Sequence, residues 1–325
     1  MLRLVLFLLV PFGLLNAAHP SAAQAEVVVD ATGRQVSVPD HIAHVLPAGP
    51  PAAVLLAAIA PDESMGFTGN LSPQDRAALA EPVASTQKLP RLTGGENLGS
   101  LHPDLIVDYG TVSSRYIDLA KDTQARSGVP TLLFDGALDH IPEVARTLGR
   151  ILHHADRGET VARVAESILA MPDHVKTHGT VYYARGADGL LAAAPGKDIT
   201  AVFSLLGWKV VAPSQGGTFR TTTVAEIASF DPDYIILSDP AAAGVLTSPA
   251  WAGLRAVRNG HAMVAPSVPF GWIEEPPSIN RLLGLAWLKG ADPDTLATLF
   301  NASVYGRSLT SQQVSDMTKG IGPIQ

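Results

Sequence analysis

The chain carries one short plan twice. "LGSLHPDLIVDYG", ending at Gly110, and "VAEIASFDPDYIILSD", ending at Asp239, each run from a helical stretch through Pro-Asp into an apolar strand. The proline (Pro103, Pro232) stops the helix and presets the entry to the strand. Repeated on both sides of a helical connector, this unit predicts two related α/β lobes. The 325 residues suit that plan, at about 130–150 per lobe.

The rest of the pattern agrees. "IAHVL" (Ile42–Leu46), "DLIVDYG" (Asp104–Gly110) and "TLLFD" (Thr131–Asp135) read as strands in the first half. "TVYYAR" (Thr180–Arg185), "YIILSD" (Tyr234–Asp239) and "AMVAP" (Ala262–Pro266) do so in the second. Helices are expected over Ala52–Ala60, Pro73–Ala80, Ser114–Arg126, Ile199–Leu206, Thr223–Ser229, Ser278–Lys289 and Asp292–Asn301. Alternating strands and helices imply a mainly parallel sheet in each lobe, flanked by helices. Between the lobes, Val161, Val164, Ile168 and Leu169 recur at helical spacing. This predicts one long helix from Arg157 to about Lys176, opened by an Asp156–Glu159 capping box. The expected divisions are therefore 1–25, 26–155, 156–178 and 179–325: a leader, a first lobe, a connecting helix and a second lobe.

The leader is read from "MLRLVLFLLVPFGLLNAAHPSAAQAE". Arg3 precedes the apolar run Leu4–Leu15, and small residues end at Ala23-Gln24-Ala25. That is the pattern of a cleavable secretory signal, with cleavage expected after Ala25. The chain has no cysteine, so neither a disulfide nor a cysteine-linked lipid is available. A soluble protein free in a periplasm, and a monomer, is expected. The net charge of −7 becomes one unit more negative without Arg3. It opposes nucleic acid as a partner.

Enzyme signatures fail. There is no G-x-S-x-G elbow, no cysteine nucleophile, and no G-x-G-x-x-G after a strand. "GLLAAAPGKD" mimics a phosphate loop, but Asp198 follows Lys197 where Ser or Thr is required. The ten histidines are scattered without metal-ligand spacing. No catalytic residue, resident cofactor or directly ligated metal is predicted. A metal that arrives already chelated needs no such cluster.

Attention passes to strand ends, where open α/β sheets bind ligands. Those ends offer Gly49, Tyr109, Thr111, Arg185, Asp239, Phe270 and Trp272. "PFGW" places two rings around Gly271, which lets the backbone turn. Phe270 suits either the cleft or the core beneath the loop; Trp272 is placed in the cleft. Arg185, Lys197 and Arg220 would form a local positive spot fit for an anionic ligand. Ser278 is expected to cap the next helix. Arg281 in its first turn calls for an acid, with Glu274 or Glu275 as the nearest.

These residues resemble the periplasmic substrate-binding proteins of iron–siderophore, haem and cobalamin importers, the group with a long helix between lobes. The resemblance covers nearly all of the chain after the leader. It rests on "VVVDATGRQVSVPDHIAHVLPAG", the two Pro-Asp units, "PAWAGLRAVRNGHAMVAPSVPFGW", "VYYARGADGL" and "PFGWIEEPPSINRLLGLAWL". The last two look like the iron-complex subgroup, to which molybdate and tungstate binders also belong. The resemblance implies capture of a small metal chelate or oxyanion, and delivery to a membrane permease with ATPase subunits. An iron(III) chelate of siderophore type is the first expectation. Molybdate or tungstate, haem, cobalamin, and a nickel or cobalt chelate remain open, as does a binding module serving a sensor. A secreted α/β enzyme is the rival of a different class. The family docks on its permease through one exposed acid per lobe. Glu226 matches the second-lobe acid. The first-lobe helix has no acid until Asp62 and Glu63, and Glu63 is taken as the first-lobe contact.

Overall fold

The Pro-Asp units keep the strands in place. Asp104 Oδ2 accepts from the backbone N–H groups of Ala43 (2.9 Å) and His44 (2.8 Å), at the entry to the neighbouring strand. Asp233 Oδ2 accepts from the Thr180 N–H and hydroxyl, each at 2.8 Å, at the start of its own neighbour. Each aspartate thus pins the strand beside the one it introduces. The duplicated motif is a register device used once in each lobe.

The computed structural model describes residues 26–94, 98, 100–175, 179–196, 198–213 and 217–319. The expected leader (1–25), Lys197 and residues 176–178 lie outside the described residues. The first lobe opens with a hairpin of β1 (Glu26–Val29) and β2 (Gln35–Val38). Then follow β3 (Val45–Pro47), α1 (Pro50–Ile59), β4 (Phe67–Thr68), α2 (Pro73–Ala78), β5 (Lys88–Leu89), β6 (Leu105–Gly110), α3 (Ser114–Ser127), β7 (Thr131–Asp135) and α4 (Ile141–Ile151). The sheet is parallel in the order β3-β6-β7, and β4 pairs with β5. Every residue of α1 from Ala52 to Ile59 is buried. Its helix is apolar all round because it lies inside the lobe.

The connecting helix, α5 (Ala155–Ala170), leads to the second lobe. There lie β8 (Thr180–Arg185), β9 (Leu191–Ala193), α6 (Ala201–Leu205), β10 (Lys209–Val210), β11 (Phe219–Thr221), α7 (Val224–Phe230), β12 (Tyr234–Leu237), α8 (Arg255–Arg258) and β13 (Ala262–Val264). The sheet runs β11-β9-β8-β12-β13, with β10 also on β8. Strands β10, β8, β12 and β13 are parallel, while β9 and β11 add an antiparallel margin. The last helices, α9 (Arg281–Leu288), α10 (Pro293–Val304) and α11 (Ser311–Thr318), return toward the first lobe. Asn301 Nδ2 donates to the Ala78 carbonyl at 2.5 Å, and Gln313 Nε2 to that of Ala77 at 2.8 Å. The architecture is a two-lobed α/β fold.

Three local expectations are corrected. The connecting helix starts at Ala155 with His154 as its N-cap and no side-chain cap bond. Asp156 therefore does not cap it. Glu159 is held instead by Arg146 of α4 (2.7 Å) and Arg163 (2.8 Å). The helix ends at Ala170, not Lys176, because Met171 precedes Pro172 and takes the extended conformation that proline imposes. A second helix, α4, stands before it, and the two cross where Gly149 meets Gly158. A Cβ at Gly158 would lie 2.5 Å from the Ala145 carbonyl oxygen.

Ser278 does not cap α9 either. Asn280 is the N-cap residue, without a side-chain cap bond, and the Ser278 hydroxyl donates across to the Pro51 carbonyl at 2.8 Å. All eight residues of α9 are buried, Arg281 among them. Beyond it, Lys289 Nζ donates to the carbonyls of Ile168 (3.1 Å), Leu169 (2.9 Å) and Met171 (2.8 Å). A lysine thereby closes the C-terminal end of the connecting helix, where the helix dipole favours a cation.

Candidate functional site

The carboxyl ends of β3 and β6 in one lobe face those of β8 and β12 in the other. Between them lies a cleft of about 1050 Å³. Gly49, Tyr109, Thr111, Arg185, Asp239 and Phe270 all line it. Gly49 is the N-cap of α1, with extended backbone. Tyr109 is buried, which pushes its phenol up from the ordinary value, and Arg281 stands beside the ring. The Thr111 hydroxyl donates to Asp198 of the second lobe, so the lobes already touch at this point. Asp239 Oδ1 accepts from the Ala241 N–H at 2.9 Å, starting a 3₁₀ turn over Pro240–Thr247.

The two rings of "PFGW" part company. Phe270 lines the cleft and stacks on Phe67 of the first lobe, with ring centroids 5.5 Å apart and planes 4° from parallel. Trp272 does not line it: the residue is 0% exposed and belongs to the main core. Its Nε1 donates to the Val268 carbonyl at 3.0 Å. An extended chain would send residues 270 and 272 to the same side. Phe270 instead has φ +64°, a left-handed conformation, and the Gly271 N–H folds back onto the Glu275 carbonyl. That turn directs one ring outward and the other into the core. The backbone strain at Phe270 is countered by its N–H donating to Asp75 Oδ1 at 3.0 Å.

The positive spot is also corrected. Arg185 reaches the cleft but is held in its wall. Nε donates to Glu274 Oε1 at 2.6 Å, and Nη2 to Glu274 Oε2. Glu275 lies 3.0 Å from Nε, and the guanidinium sits 4.3 Å from the centre of the Phe219 ring. Burial works against the Arg185 charge, but the glutamates outweigh it and its pKa stands above the ordinary value. Glu274 also accepts from the Tyr183 hydroxyl at 2.8 Å. Arg220 is not among the lining residues; it lies 3.9 Å from Glu226. Arg281 takes no acid. It donates to the carbonyls of Gly136 and Ser278, a backbone solution to its place in the first turn.

The structure adds residues that sequence reasoning missed, Phe67, Thr68, Asp75, Arg91 and Asp108, and it places Ser238 of the strand-end stretch and Glu275, expected as a partner for Arg281, in the lining as well. Asp108 carried a signal, as the one acid inside the apolar run "LIVDYG". Burial raises its carboxyl above the ordinary value, with the Tyr109 N–H and Arg91 opposing. The side-chain oxygens of Thr68, Tyr109 and Ser238 are buried and none meets hydrogen-bond geometry to a partner among the described residues, though Arg281 stands near the Tyr109 hydroxyl and Glu275 near that of Ser238. Among the described residues, no group of three or more His, Cys, Asp or Glu is placed to hold a metal ion.

Of the two expected docking acids, Glu226 is half-buried and closes a capping box with Thr223. It also accepts from the Thr222 hydroxyl at 2.9 Å, which lowers its pKa. Glu63 is bonded to His154 Nε2 at 2.9 Å, beside the start of the connecting helix. It is engaged within the protein and is not a free surface acid.

A family model described as periplasmic binding protein matches residues 57–269. No curated protein matches by sequence. An ABC transporter solute binding protein from Sulfurospirillum deleyianum DSM 6946 is 24% identical, with TM-score 0.79, over 90% of this chain and 99% of that one. The molybdate periplasmic binding protein MolA of Haemophilus influenzae, bound to molybdate, is 16% identical, with TM-score 0.65, over 88% and 99%. A protein of an ABC-type Fe3+-hydroxamate transport system from Saccharomonospora viridis DSM 43017 is 19% identical, with TM-score 0.56, over 81% and 97%. At these identities the likenesses show a common fold.

Proposed function

The chain belongs to the periplasmic binding protein family, and on that premise we propose that its cleft captures an iron(III) chelate for delivery to an ABC importer. Membership of the family carries binding of a small ligand and partnership with a permease. It is a family of transport proteins, not of enzymes. The iron(III) chelate is part of this proposal, as are the cleavable leader, the monomeric state and the ATPase subunits behind the permease.

The observation that carries the step is the size and lining of the cleft. About 1050 Å³ stands at the upper end of sites that enclose drug-sized molecules. A single tetrahedral oxyanion would leave most of it to water. The stacked Phe67–Phe270 pair, Tyr109 and Tyr116 supply aromatic walls for the organic part of a chelate. An oxyanion is the second reading, favoured by the structural likeness to the Haemophilus molybdate binder and by Arg91 in the lining.

Capture needs no covalent chemistry. Ligand bound between two lobes stabilises the arrangement in which both touch it. The Thr111–Asp198 contact already closes part of the mouth. Glu226 is proposed to dock the second lobe on the permease. A docking role for Glu63 would require it to leave His154.

Native mass spectrometry with metal analysis, on protein purified from its own periplasm, tests the reading. The expected result is a bound mass containing iron. Bound molybdenum, cobalt or nickel, or haem, would overturn it.

A further inference from the structure

The lining of the cleft is acidic. Among the described residues it holds Asp75, Asp108, Asp239, Glu275 and Asp316 against Arg91 and Arg185. Most of these acids are already occupied. Asp75 accepts from the Ser72 N–H and hydroxyl and from the Phe270 N–H. Asp108 is opposed by Arg91, and Asp316 accepts from Gln312 Nε2 at 2.9 Å.

Glu275 is different. It and Glu274 share one guanidinium: Glu274 takes the Nε–Nη2 edge of Arg185 with both its oxygens, and Glu275 lies 3.0 Å from the same Nε. One arginine balances one of the two carboxylates, so the wall keeps a surplus negative charge at Glu275. Asp239, also in the lining, adds to it: burial, then the Glu274 and Asp239 charges, push the Glu275 carboxyl up from its ordinary value, against the opposing pull of Arg185 and the Ser238 hydroxyl. A charge held in a partly dry wall is relieved by an incoming cation.

A second observation points to a ligand at the same place. Ser238 stands beside Asp239 in the lining, and its buried hydroxyl lies near the Glu275 carboxylate and the Tyr183 hydroxyl without meeting hydrogen-bond geometry to either. The buried Thr68 hydroxyl, across the cleft, has no hydrogen-bond partner among the described residues. Buried polar atoms are seldom left unpaired unless something else completes them.

We propose that Glu275, Asp239 and Ser238 form a specificity corner for a chelate whose outer face carries a protonated amine or other N–H donors. The corner rejects anionic chelates and bare oxyanions by the same charge. The inference rests on the ferric-chelate reading above and names the charge class within it.

The test uses three ferric trihydroxamate chelates with one metal centre and different ends: a free amine, its N-acetyl form and its N-succinyl form. Titration calorimetry on the mature full-length protein gives their affinities, with molybdate as a fourth probe. The amine-bearing chelate should bind about tenfold more tightly than the acetylated one, the size of one favourable charge contact, and the succinylated one should be weakest. The advantage should shrink as salt rises. Glu275→Gln should remove most of the preference between the amine-bearing and the acetylated chelate. Asp239→Asn, which keeps an oxygen for the Ala241 N–H, should act in the same direction and serves if the first variant folds poorly. Equal binding of all three chelates would overturn the charge inference and leave the ferric reading standing. Tighter binding of the succinylated chelate would do the same. Failure of all three would overturn the ferric reading and the inference with it. Molybdate binding more tightly than any chelate would have the same consequence.

Discussion

Arg185 and Glu274 form a two-point ion pair inside the second-lobe wall of the cleft, joining the end of β8 to the loop before α9 across 89 residues of sequence. Glu274 is 0% exposed and the Arg185 side chain 28%. Breaking such a pair leaves a buried charge. Arg185→Met should therefore cost about 3–5 kcal/mol in denaturant unfolding. Adding Glu274→Gln should recover part of that loss, since the charge left behind disappears. A double variant as unstable as the single one would show that packing of the guanidinium on Phe219, not charge, sets the cost.

Trp272 belongs to the core and Phe270 to the cleft. Trp272→Ala should lower stability by about 3–5 kcal/mol, the range for a deleted core aromatic. Ligand affinity of the protein that remains folded should change little. Urea unfolding and calorimetry on the same sample decide it. A variant of normal stability with lost binding would return the ring to the cleft.

Asp233 confers acid sensitivity with a definite sign. Bonds from the Thr180 N–H and hydroxyl, then Arg255, hold its carboxyl below the ordinary 3.8. Its stabilisation is fully present above 3.8 and is lost as pH falls through the lower folded-state value. Asp233→Asn should be less stable than the parent at neutral pH, and the gap should narrow below pH 3.8. Thermal melts from pH 7 to 2.5 read this directly. A gap that stays constant across that range would assign the loss to geometry alone.

Glu226 has two separable duties, as the reciprocal member of a helix cap and as the proposed docking charge. Glutamine keeps the cap and removes the charge. Glu226→Gln should thus leave melting temperature and ligand affinity within error of the parent, while uptake in cells falls. Unchanged uptake would take Glu226 out of the permease contact. Glu226→Ala is the poorer test, because loss of a cap partner alone costs up to about 1–2 kcal/mol.

The sequence by itself determined the two-lobed plan. Short apolar runs closed by Gly, Pro or Asp, helical spacing and the two Pro-Asp units are local signals, and each lobe uses its aspartate to pin a neighbouring strand. It also brought out the strand ends, because parallel sheets leave their carboxyl ends at the crevice, and six of the residues named there line it. Which way each side chain faces was decided only in three dimensions. A left-handed φ at Phe270 separates two rings that an extended chain would place together. The charge of the cleft is likewise a tertiary property. Arg185 reads as a free cation until Glu274 and Glu275 arrive from 89 and 90 positions away, and an ion's effective charge depends on neighbours that no local window contains.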